Sequence, residues 1–491
     1  MLEDKNSGTP LYRQIYKAIR RGILSGEFSP RMQLLSSRVL ASQLGVSRIT
    51  VVNAYEQLFA EGYLEGKTGA GTFVAAELPD DLLQTDVKKP VNLAKLPSSL
   101  PLRLSLFGQR LAEKDVSSMR AQTVATFQPF QNGLTAAEEF PFEIWSRIAA
   151  RWYRNPPRKI FGYGDPQGFR PLREAVAAHL KSARGVDCTA EQIIITSGAQ
   201  QALDLTARIF LSENDAALIE DPCYLEVRST FAAVGAKIIS VSVDKEGFNA
   251  EKIPKQGTRA KLVYVTPSHQ YPLGVTMSLV RRLALIEWAK SANAWIIEDD
   301  YNSEFRYAGR PLASLQGLDR NNRVLYVGTF SKTIFPSLRI GCLVVPPELV
   351  DVFTAARALN DVHSSLLDQA ILTEFIMEGH FARHIRRMRK LYEERQEILV
   401  AECEKNLSGL LEVKKADAGM HLVGWLPEGV SDKLISEKGK KYNLNLAPIS
   451  AYCTKELVRG GLILGYTAFN EKQIIKGIHQ LTKVLESVNG V

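Results

Sequence analysis

The chain has 491 residues, 45% of them hydrophobic and 23% charged, enough apolar material for two or three globular domains at an ordinary soluble charge density. A net charge of +8 permits nucleic-acid binding without establishing it. Five scattered cysteines (Cys188, Cys223, Cys342, Cys403 and Cys453) without C-x-x-C spacing argue against a disulfide framework or a bound metal, and fit a reducing cytoplasm. Met1 to Pro10 carries no apolar signal core, and no run is long enough to span a bilayer, so neither secretion nor a membrane partner is expected.

In chain order, Pro10 opens a helix whose Leu11, Ile15 and Ile19 share one face. A second helix begins at Ser36-Ser37-Arg38, with serine as N-cap. Gly45-Val46 turns the chain, and Ser47 caps a third helix running to about Glu61. Two short helices joined by a Gly-containing turn form a helix-turn-helix. The third helix starts with Ser47, Arg48 and Thr50, short polar and bidentate side chains at the end that enters a major groove. Tyr63-Leu64-Glu65 and Gly71-Thr72-Phe73-Val74 then flank a hairpin tip, Lys67-Thr68-Gly69-Ala70, able to reach phosphate or the minor groove.

The pattern Ser37-Arg38-x-Leu40-Ala41-x-x-Leu44-Gly45-Val46-Ser47-Arg48-x-Thr50-Val51, continuing through Ala54-Tyr55, Leu58 and Gly62-Tyr63-Leu64, resembles the winged helix-turn-helix of GntR-type regulators. Ser36 departs from the proline usual there but still caps a helix. The resemblance implies a double-stranded DNA operator contacted by Arg38, Ser47, Arg48, Thr50 and a wing around Gly69 to Gly71.

Residues 1–76 thus read as the DNA-binding domain and 77–101, with Pro79, Pro90 and Pro97, as a linker. From 102 to 491 apolar strands alternate with helical patterns: Gln192–Thr196, Ala216–Glu220, Lys237–Val243, Leu262–Thr266, Trp295–Asp299 and Val324–Gly328. Such runs predict a mostly parallel α/β sheet covered on both faces, followed after Pro346 by long amphipathic helices and a smaller α+β unit. Lys332 leaves the last of these strands after a Gly-containing turn, and Trp295-Ile296-Ile297-Glu298-Asp299-Asp300-Tyr301 ends in acids and a phenol. A lysine, a carboxylate, a tyrosine and an arginine at strand ends are the parts that hold pyridoxal phosphate.

This three-quarters of the chain resembles the fold-type I aminotransferases. The resemblance makes Lys332 the Schiff-base and catalytic lysine, Asp299 the partner of the pyridinium nitrogen, Tyr301 the donor to the ring's phenolic oxygen, and Tyr224 the ring-stacking residue. Gly198, Ala199 and Gln200 would hold the phosphate with their backbone N–H groups, completed by Thr329 and Arg339. Tyr163, in the loop Phe161 to Gly168, would reach the phosphate of a neighbouring subunit, implying a homodimer.

Two departures matter. Where aminotransferases carry Asn-Pro-x-Gly, this chain reads Ser268-His269-Gln270-Tyr271-Pro272-Leu273-Gly274. That form resembles the MocR family of bacterial regulators, in which a GntR-type head is fused to an aminotransferase-like body. Phe381 to Arg389 also resembles that family; Phe381, Ile385, Met388 and Tyr392 read first as the apolar stripe of an amphipathic helix, with an added phosphate contact as the other reading. Second, Pro448 to Tyr452 and Leu462 to Thr467 hold no arginine for a substrate carboxylate. Glu226 stands where GABA-sensing members carry one, and Arg459 is the nearby candidate.

The expected architecture is therefore multidomain: a winged helix-turn-helix, then a fold-type I body with a small C-terminal α+β subdomain. The expected function is transcription regulation by a domain-swapped dimer that senses pyridoxal phosphate, an amine or an amino acid, with little or no multiple turnover. A working aminotransferase with a DNA-binding appendage is the alternative, and a constitutive repressor using the cofactor structurally is a third.

Overall fold

The computed structural model describes residues 9–67, 71–79, 103–114, 126–255, 259–309 and 312–489. They fall into two compact units, Met1–Arg103 and Leu104–Val491.

In the first unit, helix α1 spans Leu11–Leu24, α2 Ser37–Leu44 and α3 Arg48–Ala60, followed by strands β1 (Leu64–Lys67) and β2 (Gly71–Val74). Both predicted caps form: Ser36 accepts from the Val39 N–H and Ser47 from the Thr50 N–H. Gly45 ends α2 at φ +63°, a left-handed conformation that suits glycine. Ile15, Ile19 and Ile23 of α1 pack with Val51, Ala54 and Leu58 of α3, and with Leu64 and Val74 of the hairpin. The antiparallel register pairs Leu64 with Val74 and Lys67 with Gly71. Three helices and a two-stranded wing thus close around one core. The Thr68–Ala70 tip, and with it Gly69, lies outside the described residues, as does most of the expected linker.

The second unit is built on an eight-stranded sheet in the order β3-β10-β9-β8-β7-β4-β5-β6. Its strands are β3 (Ile193–Thr196), β4 (Ala216–Asp221), β5 (Lys237–Asp244), β6 (Gly247–Phe248), β7 (Leu262–Val265), β8 (Trp295–Asp300), β9 (Val324–Thr329) and β10 (Gly341–Val344). β9, β8, β7, β4 and β5 run parallel, while β10 is antiparallel to both β3 and β9. Each predicted strand is present to within a residue or two. Alternate residues enter cores on opposite faces: Ala217 and Ile219 of β4 in one, Leu218 in the other. The double-sided burial explains why these strands read as continuous apolar runs.

Helix α4 (Ala199–Phe210) follows β3, and α5 (Leu225–Ala233) follows β4. The 27-residue α6 (His380–Asn406) leads to the small sheet β11-β12-β14-β13, made of Glu412–Val413, His421–Trp425, Gly461–Gly465 and Ala447–Pro448. In α6, Phe381, Ile385, Met388 and Tyr392 are all buried, so the stripe is core and the adjoining arginines are exposed. Arg389 donates to the Glu304 carbonyl (2.9 and 3.0 Å). Among the described residues, no helix is long and apolar enough to cross a membrane, and no cluster of His, Cys, Asp and Glu could hold a metal ion.

Candidate functional site

The carboxyl ends of the parallel strands assemble one site. β8 ends at Asp299-Asp300, registered against Val327 and Gly328 of β9. Gly341 of β10 lies between Thr196 of β3 and Thr329 of β9. A Cβ on Gly341 would sit 2.9 Å from the Gly198 carbonyl carbon, so the turn before α4 packs directly on the β10 backbone.

Lys332 is held in this corner. Its Nζ donates to the Gly133 carbonyl at 2.8 Å, and Gly133 sits at φ +80°, a left-handed conformation that suits glycine, where a Cβ would also press on that nitrogen and displace the lysine tip. Burial pulls the amine below its ordinary pKa; Glu226 opposes the shift, Arg339 adds to it, and Asp299 opposes it. Asp299 is buried. Its Oδ2 accepts from the Tyr264 hydroxyl at 2.7 Å, and its Oδ1 has no partner. Burial pushes this carboxyl up to about 6, against the Tyr264 hydrogen bond. Tyr301 shares a 2.9 Å hydrogen bond with His269 Nδ1. Tyr224, N-cap of α5, stands edge-on to Tyr271 at 5.8 Å between centroids.

Gly198 caps α4 at φ +80°, so the N–H groups of Ala199 and Gln200 open the helix and have no intrahelical acceptor. The Gln200 side chain points away, donating to Thr230 Oγ1 at 2.8 Å. Arg339, itself left-handed at φ +52°, crosses Gly198 to donate to the Ser197 carbonyl at 2.9 Å. Thr329 Oγ1 accepts from the Ser331 N–H at 3.2 Å. A helix N-terminus, a guanidinium and a hydroxyl thus converge, the donor set a phosphate dianion needs. The unpartnered Asp299 oxygen fits a protonated ring nitrogen, and the Lys332 amine fits an aldehyde, so these residues suit pyridoxal phosphate. Tyr163 stands apart from this group, 91% exposed, beside Phe161 at 74%.

In the first unit Arg38 lies on α2 and Arg48 opens α3, with Arg48 Nε donating to Ser37 Oγ at 3.5 Å. The Ser47 and Thr50 hydroxyls bond each other at 2.7 Å on the exposed end of α3. Gly71 starts β2 at φ +111° against Gln33.

Residues 131–459 match the family of aminotransferase class I and II, and residues 11–74 match the bacterial regulatory proteins of the gntR family. The chain is 39% identical over 478 residues to the probable rhizopine catabolism regulatory protein MocR of Rhizobium meliloti, across 97% of this chain and 94% of that protein. It belongs to the MocR-type regulators. A second relative over nearly full length is the HTH-type transcriptional regulator YdeL of Bacillus subtilis, 35% identical across 96% of both chains. The body superposes on Pyrococcus horikoshii kynurenine aminotransferase, solved in complex with PMP, with TM-score 0.71 and 30% identity over 77% of this chain and 96% of that one. The protein is thus a DNA-binding transcription regulator with an aminotransferase-like domain.

In this MocR-type body several site residues went unmarked by sequence reasoning. Tyr264 sits mid-strand in an apolar run, where nothing distinguishes it from core. Gly133 lies 199 residues from Lys332, and only its Asn-Gly turn signal hinted at a special backbone. Arg184 Nε donates to Asp300 Oδ2 at 2.7 Å, and Tyr326 donates to the same oxygen at 2.8 Å, clamping the strand end beside Asp299. Arg459 is engaged elsewhere: it pairs with Glu412 at 2.8 Å and donates to the Trp425 and Leu426 carbonyls. Leu462, Ile463 and Leu464 of β14 are wholly buried aliphatics.

Proposed function

We propose that this regulator binds pyridoxal phosphate in its body and changes its hold on operator DNA according to what reaches that cofactor, either the vitamin itself or an amine or amino acid. When bound, the cofactor supplies an aldehyde and an electron-withdrawing ring that react with primary amines. Lys332 would hold it covalently, Asp299 would pair with the ring nitrogen, Tyr301 would donate to the ring oxygen, and Tyr224 would cover the ring face. The N–H groups at Gly198, Ala199 and Gln200, with Thr329 and Arg339, would bind the phosphate. The observation that carries this reading is the buried Asp299 Oδ1, a carboxylate oxygen without a partner beside a lysine. An acid in that state is costly unless a ligand completes it.

In the head, Arg38, Ser47, Arg48, Thr50 and the wing at Gly69 and Gly71 would meet the operator. A homodimer, domain-swapped through the 77–101 linker, would present two such heads. The exposure of Phe161, which ends a short 3-10 helix, and of Tyr163 just after it supports a partner subunit there. Ligand binding must then favour one arrangement of body and head over another. Footprinting of the operator with and without pyridoxal phosphate tests the vitamin branch: an identical footprint and affinity in both would reject it.

A second reading, a working aminotransferase, draws on the depressed Lys332 amine, which suits proton transfer. A multiple-turnover assay with amino donors and keto acids decides it; robust turnover would displace the sensing-only reading.

A further inference from the structure

Around Lys332 stands a group that cofactor binding leaves unused. Glu226 lies in the first turn of α5, half-buried, two residues past Tyr224. Its carboxylate takes support from the Tyr224 side chain and from its own backbone N–H, and the cation that acts on it is Lys332. Burial is the largest influence on it and holds its pKa above the ordinary value. The phenols of Tyr224, Tyr271 and Tyr452 each feel its charge.

Those phenols form walls. Tyr271 meets Tyr224 at 5.8 Å and 86°, and Tyr452 at 5.5 Å and 76°. Near-perpendicular rings make corners rather than a stacked pile. The Tyr271 hydroxyl accepts from Asn132 Nδ2 at 2.9 Å, and the next residue, Gly133, holds the lysine. Carboxylate, rings and lysine therefore share one neighbourhood.

The charges there favour a cation. Arg459 is spent on Glu412, and β14 presents aliphatic side chains. Arg228, on the same helix as Glu226, is held by neighbouring groups: it donates to the Tyr452 carbonyl at 2.9 Å and lies 3.7 Å from Cys223 Sγ. Lys332 rather than Arg228 is the cation acting on Glu226. Arg339 bears on Lys332 from the phosphate side. A ligand carboxylate entering beside Glu226 would meet repulsion, whereas an ammonium would meet a carboxylate and aromatic faces.

We infer that Glu226, walled by Tyr224, Tyr271 and Tyr452, is an ammonium-recognition site, and that the effector is a diamine, or another amine with a second cationic nitrogen, rather than an α-amino acid. The inference rests on the reading of Lys332 as the cofactor lysine.

The test uses the full-length protein loaded with pyridoxal phosphate. α,ω-Diamines of three to six carbons are titrated beside the monoamines of equal length, with binding followed by calorimetry and by the visible absorbance of the cofactor. At least one diamine should bind about tenfold more tightly than its monoamine, the scale of one charge-assisted hydrogen bond. In Glu226→Gln that ratio should fall to about twofold or less, while Glu226→Asp keeps part of it; the monoamine response in each variant reports a folded, loaded site. Equal binding of diamine and monoamine, or an undiminished ratio in Glu226→Gln, overturns the inference and leaves the cofactor reading intact. Absence of a visible band in the wild-type protein overturns the cofactor reading itself, and the ammonium site with it.

Discussion

Tyr264 donates to one oxygen of Asp299 at 2.7 Å and leaves the other buried and unpaired. The tyrosine fixes the carboxylate's orientation, so the free oxygen has one direction in which to act. Asp299→Ala should therefore weaken pyridoxal phosphate binding by about 10- to 100-fold, the size of a hydrogen bond to a charged group. Tyr264→Phe should weaken it less. Equilibrium dialysis measures both, and unchanged affinity in Asp299→Ala would exclude the carboxylate from the site.

Lys332→Ala should abolish the Schiff-base absorbance of the bound cofactor and leave only that of the free aldehyde. Because the phosphate donors at Gly198 to Gln200 and Arg339 remain, noncovalent binding should persist at reduced affinity. A Schiff-base band surviving in the purified variant would remove Lys332 from its role.

Ser47 serves two ends that substitution separates. Ser47→Ala removes the α3 cap and should cost about 1 kcal/mol of stability in the head. Ser47→Asp keeps a cap and suits the helix dipole, so thermal stability should hold, while its charge beside phosphates should abolish DNA binding. A gel-shift assay paired with a melting curve separates the two effects. If Ser47→Asp binds DNA as the wild type does, the α3 terminus does not face the duplex.

Arg48 is exposed at the same helix end, so Arg48→Ala should leave the melting temperature unchanged. Operator affinity should fall by about 1–3 kcal/mol if it reads a base, and the salt dependence should weaken if it binds phosphate. Gel shifts at two salt concentrations distinguish these outcomes; unchanged binding at both would clear Arg48 of any contact.

Acid should loosen the body through His269. Burial, with His421 nearby, pushes its pKa from 6.5 down to about 3. The unfolded chain takes up a proton there below about 6.5 and the folded chain does not, so stability is lost as pH falls from 6.5 towards 3. One such group gives a slope of at most about 1.4 kcal/mol per pH unit. His269→Gln lacks this loss, so its melting temperature relative to wild type should rise between pH 7 and pH 4.5 in cofactor-free protein. A constant difference across that range would mean His269 does not titrate as its burial requires.

The fold was readable because its signals are local. Caps at Ser36 and Ser47, the Gly45 turn, and buried strands such as Leu262–Val265 need only a few neighbouring residues. β10 was not singled out, since Gly341–Val344 is four residues long and its antiparallel place between β3 and β9 depends on partners 145 and 12 or more positions away. Lys332 and Asp299 stand out because charged residues at the ends of apolar strands are conspicuous, and Arg339 through the resemblance to the aminotransferases. Tyr264 and Gly133 do not: one hides in a core strand, and the other acts through its carbonyl, a group every residue has. Arg459 was legible as a candidate but not as Glu412's partner, because that pairing exists only once β11 lies beside β12.

The core of the head closes between Ile15 and Leu78, whereas the corner proposed to bind phosphate requires Thr196 to meet Gly341. During synthesis the DNA reader is therefore complete while more than half of the chain has yet to leave the ribosome. A transcript cut short would yield the helix-turn-helix head without the aminotransferase-like body that the rest of the chain builds.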